Sequence, residues 1–168
     1  MPRRPALHAL ALPALVLACA GSPAILAQPA SADDWGRAAR RGAQEQPTLG
    51  ERAVRTALTA VGVPYRYGGQ SPTAGFDCSG LVRWAYARVG LDLPHSSYAL
   101  YAEGRRVARA QLEPGDLLFF EGLGHVGLYL GRGRMVHAPR SGRSVEVVSL
   151  ASDGYGSRLI GARRVATA

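Results

Sequence analysis

The sequence predicts a single α+β domain, on three observations. Two stretches with apolar residues at helical spacing come first, short β-rich runs follow, and a turn sequence, Glu113-Pro114-Gly115-Asp116, divides the two regions. From Glu51 onward, Ala53, Val54, Ala57, Leu58 and Val61 mark one helical face, which stops at Gly62 and Pro64. A glycine-rich loop, Gly68 to Gly75, leads to Asp77. Leu81, Val82, Ala85 and Val89 then mark a second helical face ending at Gly90, so Cys78 opens a helix. A short helix is predicted after Ser96, running toward Gly104. Beyond Asp116, the runs Leu117 to Phe120, His125 to Leu130, Met135 to Ala138, Val145 to Val148 and Leu159 to Val165 read as strands of an antiparallel meander on which the helices pack.

With 168 residues, 47% of them apolar, the chain can build one sizeable core but not a second full domain. All 20 basic residues are arginine, which reads as a bias toward GC-rich codons, and the formal charge of +8 favours acidic partners by long-range steering. The arginines are scattered, without a basic strip interleaved with aromatic residues, so no nucleic-acid partner is expected.

Residues 1–27 read as a signal peptide: Arg3 and Arg4 supply the positive start, and Ala6 to Ala18 is an apolar run too short to span a bilayer comfortably. Two readings of its end stand side by side. The stretch Val16-Leu17-Ala18-Cys19-Ala20-Gly21-Ser22 is similar to the lipobox of bacterial lipoproteins, which would make Cys19 a lipidation site and give the chain a membrane anchor. The other is ordinary cleavage at Ala18-Cys19-Ala20 or Ala30-Ser31-Ala32. Either way the mature chain is expected outside the cytoplasm, in the periplasm or, if lipidated, at the outer membrane. Residues 28–50, rich in Ala, Gln, Pro, Gly and charge, read as a flexible linker, and residues 51–168 as the domain, expected to be a monomer.

With Cys19 removed or acylated, Cys78 stands as a lone thiol in an oxidising compartment, which asks for a reason beyond packing. A thiol at the first turn of a helix meets unsatisfied amides and the positive end of the dipole, so an acidic thiol is expected. Asp77 is placed to cap that helix, the small Ser79 and Gly80 let a substrate approach, and the Cys78 amide can donate to an oxyanion. The same four residues also read simply as a good helix start. His125 opens a strand in which Val126, Leu128 and Leu130 are expected to face the core, while His125, Gly127 and Tyr129 occupy an open face where Gly127 leaves room beside the imidazole. A cysteine nucleophile needs such a base within reach.

His137 follows His125 by twelve residues, across a turn at Gly131-Arg132-Gly133. A three-residue turn sets Gly127 opposite His137 and leaves His125 its diagonal neighbour on the same face, whereas a two-residue turn without a bulge puts the histidines on opposite faces. In the first case His137 would orient His125 and select its tautomer. Two histidines and a cysteine also suit zinc by chemistry, but the spacing matches no zinc motif and no metal or organic cofactor is expected. Tyr65, ahead of the glycine loop, has a hydroxyl suited either to an oxyanion or to solvent.

The ordered blocks Pro64-Tyr65-Arg66-Tyr67-Gly68-Gly69, Phe76-Asp77-Cys78-Ser79-Gly80-Leu81-Val82, Leu93-Pro94-His95-Ser96-Ser97, Pro114-Gly115-Asp116-Leu117, Gly124-His125-Val126-Gly127-Leu128-Tyr129-Leu130 and Val136-His137-Ala138 resemble the NlpC/P60 family of cell-wall cysteine peptidases. The resemblance implies a papain-like α+β fold, with a helix carrying the cysteine packed on an antiparallel sheet carrying the histidine. It implies hydrolysis of peptidoglycan stem peptides, commonly between γ-D-glutamyl and a diamino acid such as meso-diaminopimelate, or at a crosslink. By position it makes Cys78 the nucleophile, His125 the base, His137 the third polar residue and Tyr65 the oxyanion-side tyrosine. Asp77, Ser79 and Ser96 match residues lining the subsite for the stem's N-terminal portion. His95 stands where many members carry arginine, which puts the preferred stem and the pH optimum in question. The competing readings are an amidase or acyltransferase on the same fold, and a catalytically idle module that only holds stem peptides.

Overall fold

The structure, a computed structural model, describes residues 46–152 and 154–165. The predicted signal peptide, Cys19 and residues 28–45 of the predicted linker lie outside the described residues. Helix α1, Leu49–Leu58, begins slightly ahead of the expected boundary at Glu51 because a capping box starts it. Thr48 Oγ1 accepts the Glu51 amide at 3.1 Å and Glu51 Oε2 accepts the Thr48 amide at 2.8 Å. After the two-residue strands β1, Gln70–Ser71, and β2, Gly75–Phe76, comes α2, Cys78–Ala87, with Asp77 at its N-cap. Helix α3 is Ser97–Ala102, capped by Ser96.

The sheet is built from β3, Arg105–Val107; β4, Leu117–Phe120; β5, Val126–Gly131; β6, Arg134–His137; β7, Glu146–Ser149; and β8, Leu159–Arg164. A one-turn helix α4, Tyr155–Arg158, precedes β8. The strand order is β3-β8-β4-β5-β6-β7 and every pairing is antiparallel. The expected meander holds for β4 to β7 only. The last strand crosses back to the far side of β4 and pairs there with Leu117 opposite Arg163. One cause is visible at the strand's end: Arg164 donates to both oxygens of buried Asp116, at 2.7 Å and 2.8 Å, tying β8 to the start of β4.

The run Leu117-Leu118-Phe119-Phe120 is apolar throughout because β4 is covered on both faces. Leu117 and Phe119 join Val126, Leu128 and Val136 under Leu81, Val82, Ala85 and Tyr86 of α2 and Ala53 and Ala57 of α1. Leu118 and Phe120 point the other way, into a smaller cluster with Val107, Met135, Leu150 and Ala162. That second cluster corrects the expectation of an open face beside His125: Tyr129 packs against it and Gly127 is buried.

Candidate active site

The Asp77 carboxylate organises the start of α2. Its Oδ1 accepts the Gly80 amide at 2.7 Å and the Ser79 hydroxyl at 3.1 Å, and its Oδ2 accepts the Gly68 amide at 2.8 Å. His95 Nε2 lies 3.0 Å and 3.1 Å from the two oxygens. Asp77 and His95 therefore satisfy each other, and the backbone hydrogen bonds together with His95 hold the Asp77 carboxyl below its ordinary range despite burial. This cap places Cys78 at the first turn, where the backbone amide of Val126, the residue after His125, favours its thiolate.

The expectation of an acidic thiol needs correction. Burial raises the Cys78 thiol and Asp77 raises it further, and these outweigh the amides of Val126, Ser79 and Cys78 that favour the thiolate. Burial, together with Cys78 and Asp77, pushes the Tyr65 hydroxyl up, which keeps its proton in place for donation. Its backbone is fixed by a hydrogen bond from its amide to the Arg143 carbonyl at 2.8 Å.

His125 and His137 share one face, although the turn is only the two residues Arg132 and Gly133, between paired Gly131 and Arg134. Leu128 pairs with Val136, and a bulge between Tyr129 and Gly131 supplies the one-residue shift that puts both rings on the same side. His125 Nε2 lies 2.8 Å from His137 Nδ1, with the rings edge to face. Gly127 makes room for this pair rather than for a substrate, since a Cβ there would meet the Met135 sulfur at 2.9 Å and the His137 Cβ at 3.4 Å. Among the described residues no hydrogen bond joins the Cys78 sulfur to the His125 ring; each lines a hollow that meets the other at Gly124. Such contacts commonly tighten only when substrate is bound.

Two hollows meet at Gly124. One, about 320 Å³, has Cys78 in its wall together with Tyr65, Asp77, Ser79, His95 and Ser96. The other, about 580 Å³, lies on the His125 side and is lined by Arg140, Arg143 and Arg158, with Glu121 the one acid. The sequence points to Tyr65, Asp77, Cys78, Ser79, His95 and Ser96 of the first hollow and to none of the arginines of the second, which come from the β6–β7 turn and α4. Nor does it point to Glu146, whose Oε1 lies 3.4 Å from His137 Nε2. Among the described residues, no group of three or more His, Cys, Asp or Glu could hold a metal ion, and no helix is long and apolar enough to cross a membrane.

Burial, His137 and Arg158 push the His125 imidazole down to about 3, and burial with Arg143 pushes His137 down to about 4. An unfolded imidazole titrates at about 6.5, so between that pH and about 4 the unfolded chain takes up protons that the folded chain refuses. Stability contributed by the pair is complete above about 6.5 and falls with acidification, by up to about 1.4 kcal/mol per pH unit per ring. Thermal melting from pH 7 to pH 5 should show a falling Tm, with a shallower slope in His125→Gln; equal slopes in the two proteins would contradict this.

The sequence model of the NlpC/P60 family matches residues 62–164. The murein DD-endopeptidase MepH of Escherichia coli is 39% identical over 123 residues, covering 68% of this chain and 45% of its own length. The gamma-DL-glutamyl hydrolase of Bacillus subtilis is 39% identical over 132 residues, 75% of this chain and 32% of its own. The chain spans less than half the length of the curated relatives it matches. A crystal structure of an NlpC/P60 family protein from Bacillus cereus superposes with a TM-score of 0.66 at 37% identity, covering 70% of this chain and 41% of that one.

Proposed function

We propose that this chain, which belongs to the NlpC/P60 family, is a cysteine peptidase that hydrolyses amide bonds in peptidoglycan stem peptides outside the cytoplasm. The carrying observation is the placement of Cys78 at the first turn of α2, in the wall of a hollow that meets at Gly124 the one holding His125, whose Nε2 lies 2.8 Å from His137 Nδ1. With Nε2 so engaged, His125 Nδ1 is the nitrogen left to receive the thiol proton.

In the proposed reaction the Cys78 sulfur attacks the scissile carbonyl carbon as its proton passes to His125. Thiolate and imidazolium form together, and their attraction in a poorly solvated cleft offsets the burial that disfavours either charge alone. The Cys78 amide and the Tyr65 hydroxyl donate to the oxyanion. Collapse breaks the C–N bond, and the amine departs with the proton from His125. A water deprotonated by His125 then attacks the thioester, releasing a carboxylic acid while the proton returns to the sulfur.

The acyl half of the substrate is assigned to the Cys78 hollow and the amine half to the His125 side. Arginines there suit a leaving group bearing a carboxylate, such as meso-diaminopimelate, which favours the bond between γ-D-glutamyl and the diamino acid. The names of two relatives, a DD-endopeptidase and a gamma-DL-glutamyl hydrolase, support stem-peptide or glutamyl amide cleavage while differing on the bond, so a crosslink is the alternative. Export rests on the Arg3, Arg4 and Ala6 to Ala18 pattern.

Digestion of purified sacculi followed by mass spectrometry tests the reading. Soluble fragments ending in a free γ-D-glutamyl carboxylate, with new amines on the diamino acid, are expected. Sacculi that release no peptide, or release it by cleavage at the amino sugar, would sink it.

A further inference from the structure

We infer that Glu146 is a positioning residue that acts through His137 to decide which nitrogen of His125 is left bare as the base; its purpose rests on the cysteine-peptidase reading, but its geometry and its test do not.

His137 and Glu146 sit directly opposite each other in the β6–β7 ladder. His137 is fully buried, and its Nε2 lies 3.4 Å from Glu146 Oε1. Both atoms are buried, and neither has a hydrogen-bond partner among the described residues. A buried polar atom left unmatched is costly, and two such atoms facing each other across one gap have each other as the available solution. The distance exceeds the roughly 2.8 Å of a charge-assisted hydrogen bond. The interaction is therefore an electrostatic one, and its sign depends on where the imidazole proton sits.

Glu146 Oε2 is held by Arg143 Nη2 at 2.5 Å, which fixes the carboxylate and leaves Oε1 turned to the ring. The other groups against His137 are His125, the Tyr155 ring and the Arg143 charge; none offers Nε2 an alternative acceptor in the hydrogen bonds found among the described residues.

A neutral imidazole carries one N–H. If the proton is on His137 Nε2, it points at the carboxylate, and Nδ1 becomes an acceptor. His125 Nε2, 2.8 Å away, must then be the donor, and His125 Nδ1 carries the free lone pair. In the opposite order His137 Nδ1 donates to His125 Nε2, a lone pair faces the Glu146 carboxylate, and the His125 proton sits on Nδ1, where no base remains. Glu146 favours the first order and opposes the second. It thus selects the tautomer of a ring it does not touch.

Long-range proton–nitrogen NMR on ¹⁵N-labelled protein at pH 7 reads both tautomers, and iodoacetamide reactivity of Cys78 reads their consequence. In the wild type both rings should carry the proton on Nε2. Glu146→Ala should show both His137 tautomers and roughly tenfold slower alkylation, while Glu146→Gln, whose amide oxygen still accepts, should restore the wild-type tautomer and most of the rate. A wild-type spectrum with His137 protonated on Nδ1 overturns the inference even if the alanine variant fails to fold, and so does a folded Glu146→Ala with unchanged tautomers and rate. Correct tautomers in a chain that leaves sacculi intact would fell the proposed function and leave this inference standing.

Discussion

Replacing Cys78 by alanine is expected to bring stem-peptide hydrolysis to the uncatalysed background, a loss on the order of 10⁵-fold, with a change in stability under about 1 kcal/mol. The Ser79 hydroxyl next along the helix does not stand in for the sulfur, because it donates to Asp77 Oδ1 at 3.1 Å and is largely buried. His125→Ala should lower the rate by about 10³-fold, the range of general-base catalysis, with the thiol still present. The two variants together separate nucleophile from base, and a double variant should be no slower than Cys78→Ala alone. Because burial raises the thiol, alkylation of the wild type should follow a pH profile above that of free cysteine. Retention of about 1% or more of the rate in folded Cys78→Ala would end the thiol mechanism.

The second large effect is on stability. Gly80→Ala is expected to destabilise the fold by about 3 kcal/mol, although glycine to alanine inside a helix ordinarily stabilises by close to 1 kcal/mol. A Cβ at position 80 would lie 2.0 Å from the Gly69 carbonyl oxygen and 3.0 Å from His95 Nε2. The Gly69 carbonyl accepts the Asp77 amide at 3.0 Å, so moving it loosens the residue that caps α2. The clash therefore reaches the thiol through the cap, and weakened activity should accompany the lower Tm. Calorimetric melting of the purified variant decides the matter; an unchanged or raised Tm would show that α2 and the glycine loop can separate without penalty.

What could be read before the coordinates were known divides by range. The hydrogen bond from the Gly80 amide to Asp77 was legible because its two ends are three positions apart, whereas the Gly68 and His95 contacts of the same carboxylate span nine and eighteen residues. The start of α2 at Cys78 and the β4 run at Leu117–Phe120 were legible for the same local reasons. The placement of His137 beside His125 was open between two turn geometries, and it needed the bulge after Tyr129 to settle it. Glu146 was invisible as a partner because the turn between β6 and β7 sets the register, and alternation alone does not reveal which residue of β7 faces His137. The strand Arg105–Val107 is short, polar at two of its three positions and lies at the sheet edge, so it carries no alternating signature. The thiol's direction of shift was misjudged because a helix start is a local cue, whereas burial is summed over everything packed nearby.

The sulfur belongs to a helix, whereas His137 ends β6 and His125 stands just ahead of β5 in the layer beneath, and the amide of Val126, next to His125, favours the Cys78 thiolate. Reactivity is thus a property of the seam between two layers and resides in neither one. A ligand, a mutation or a change of solvent that slides one layer over the other would silence the chemistry with every participating residue intact, and restoring the seam would restore it.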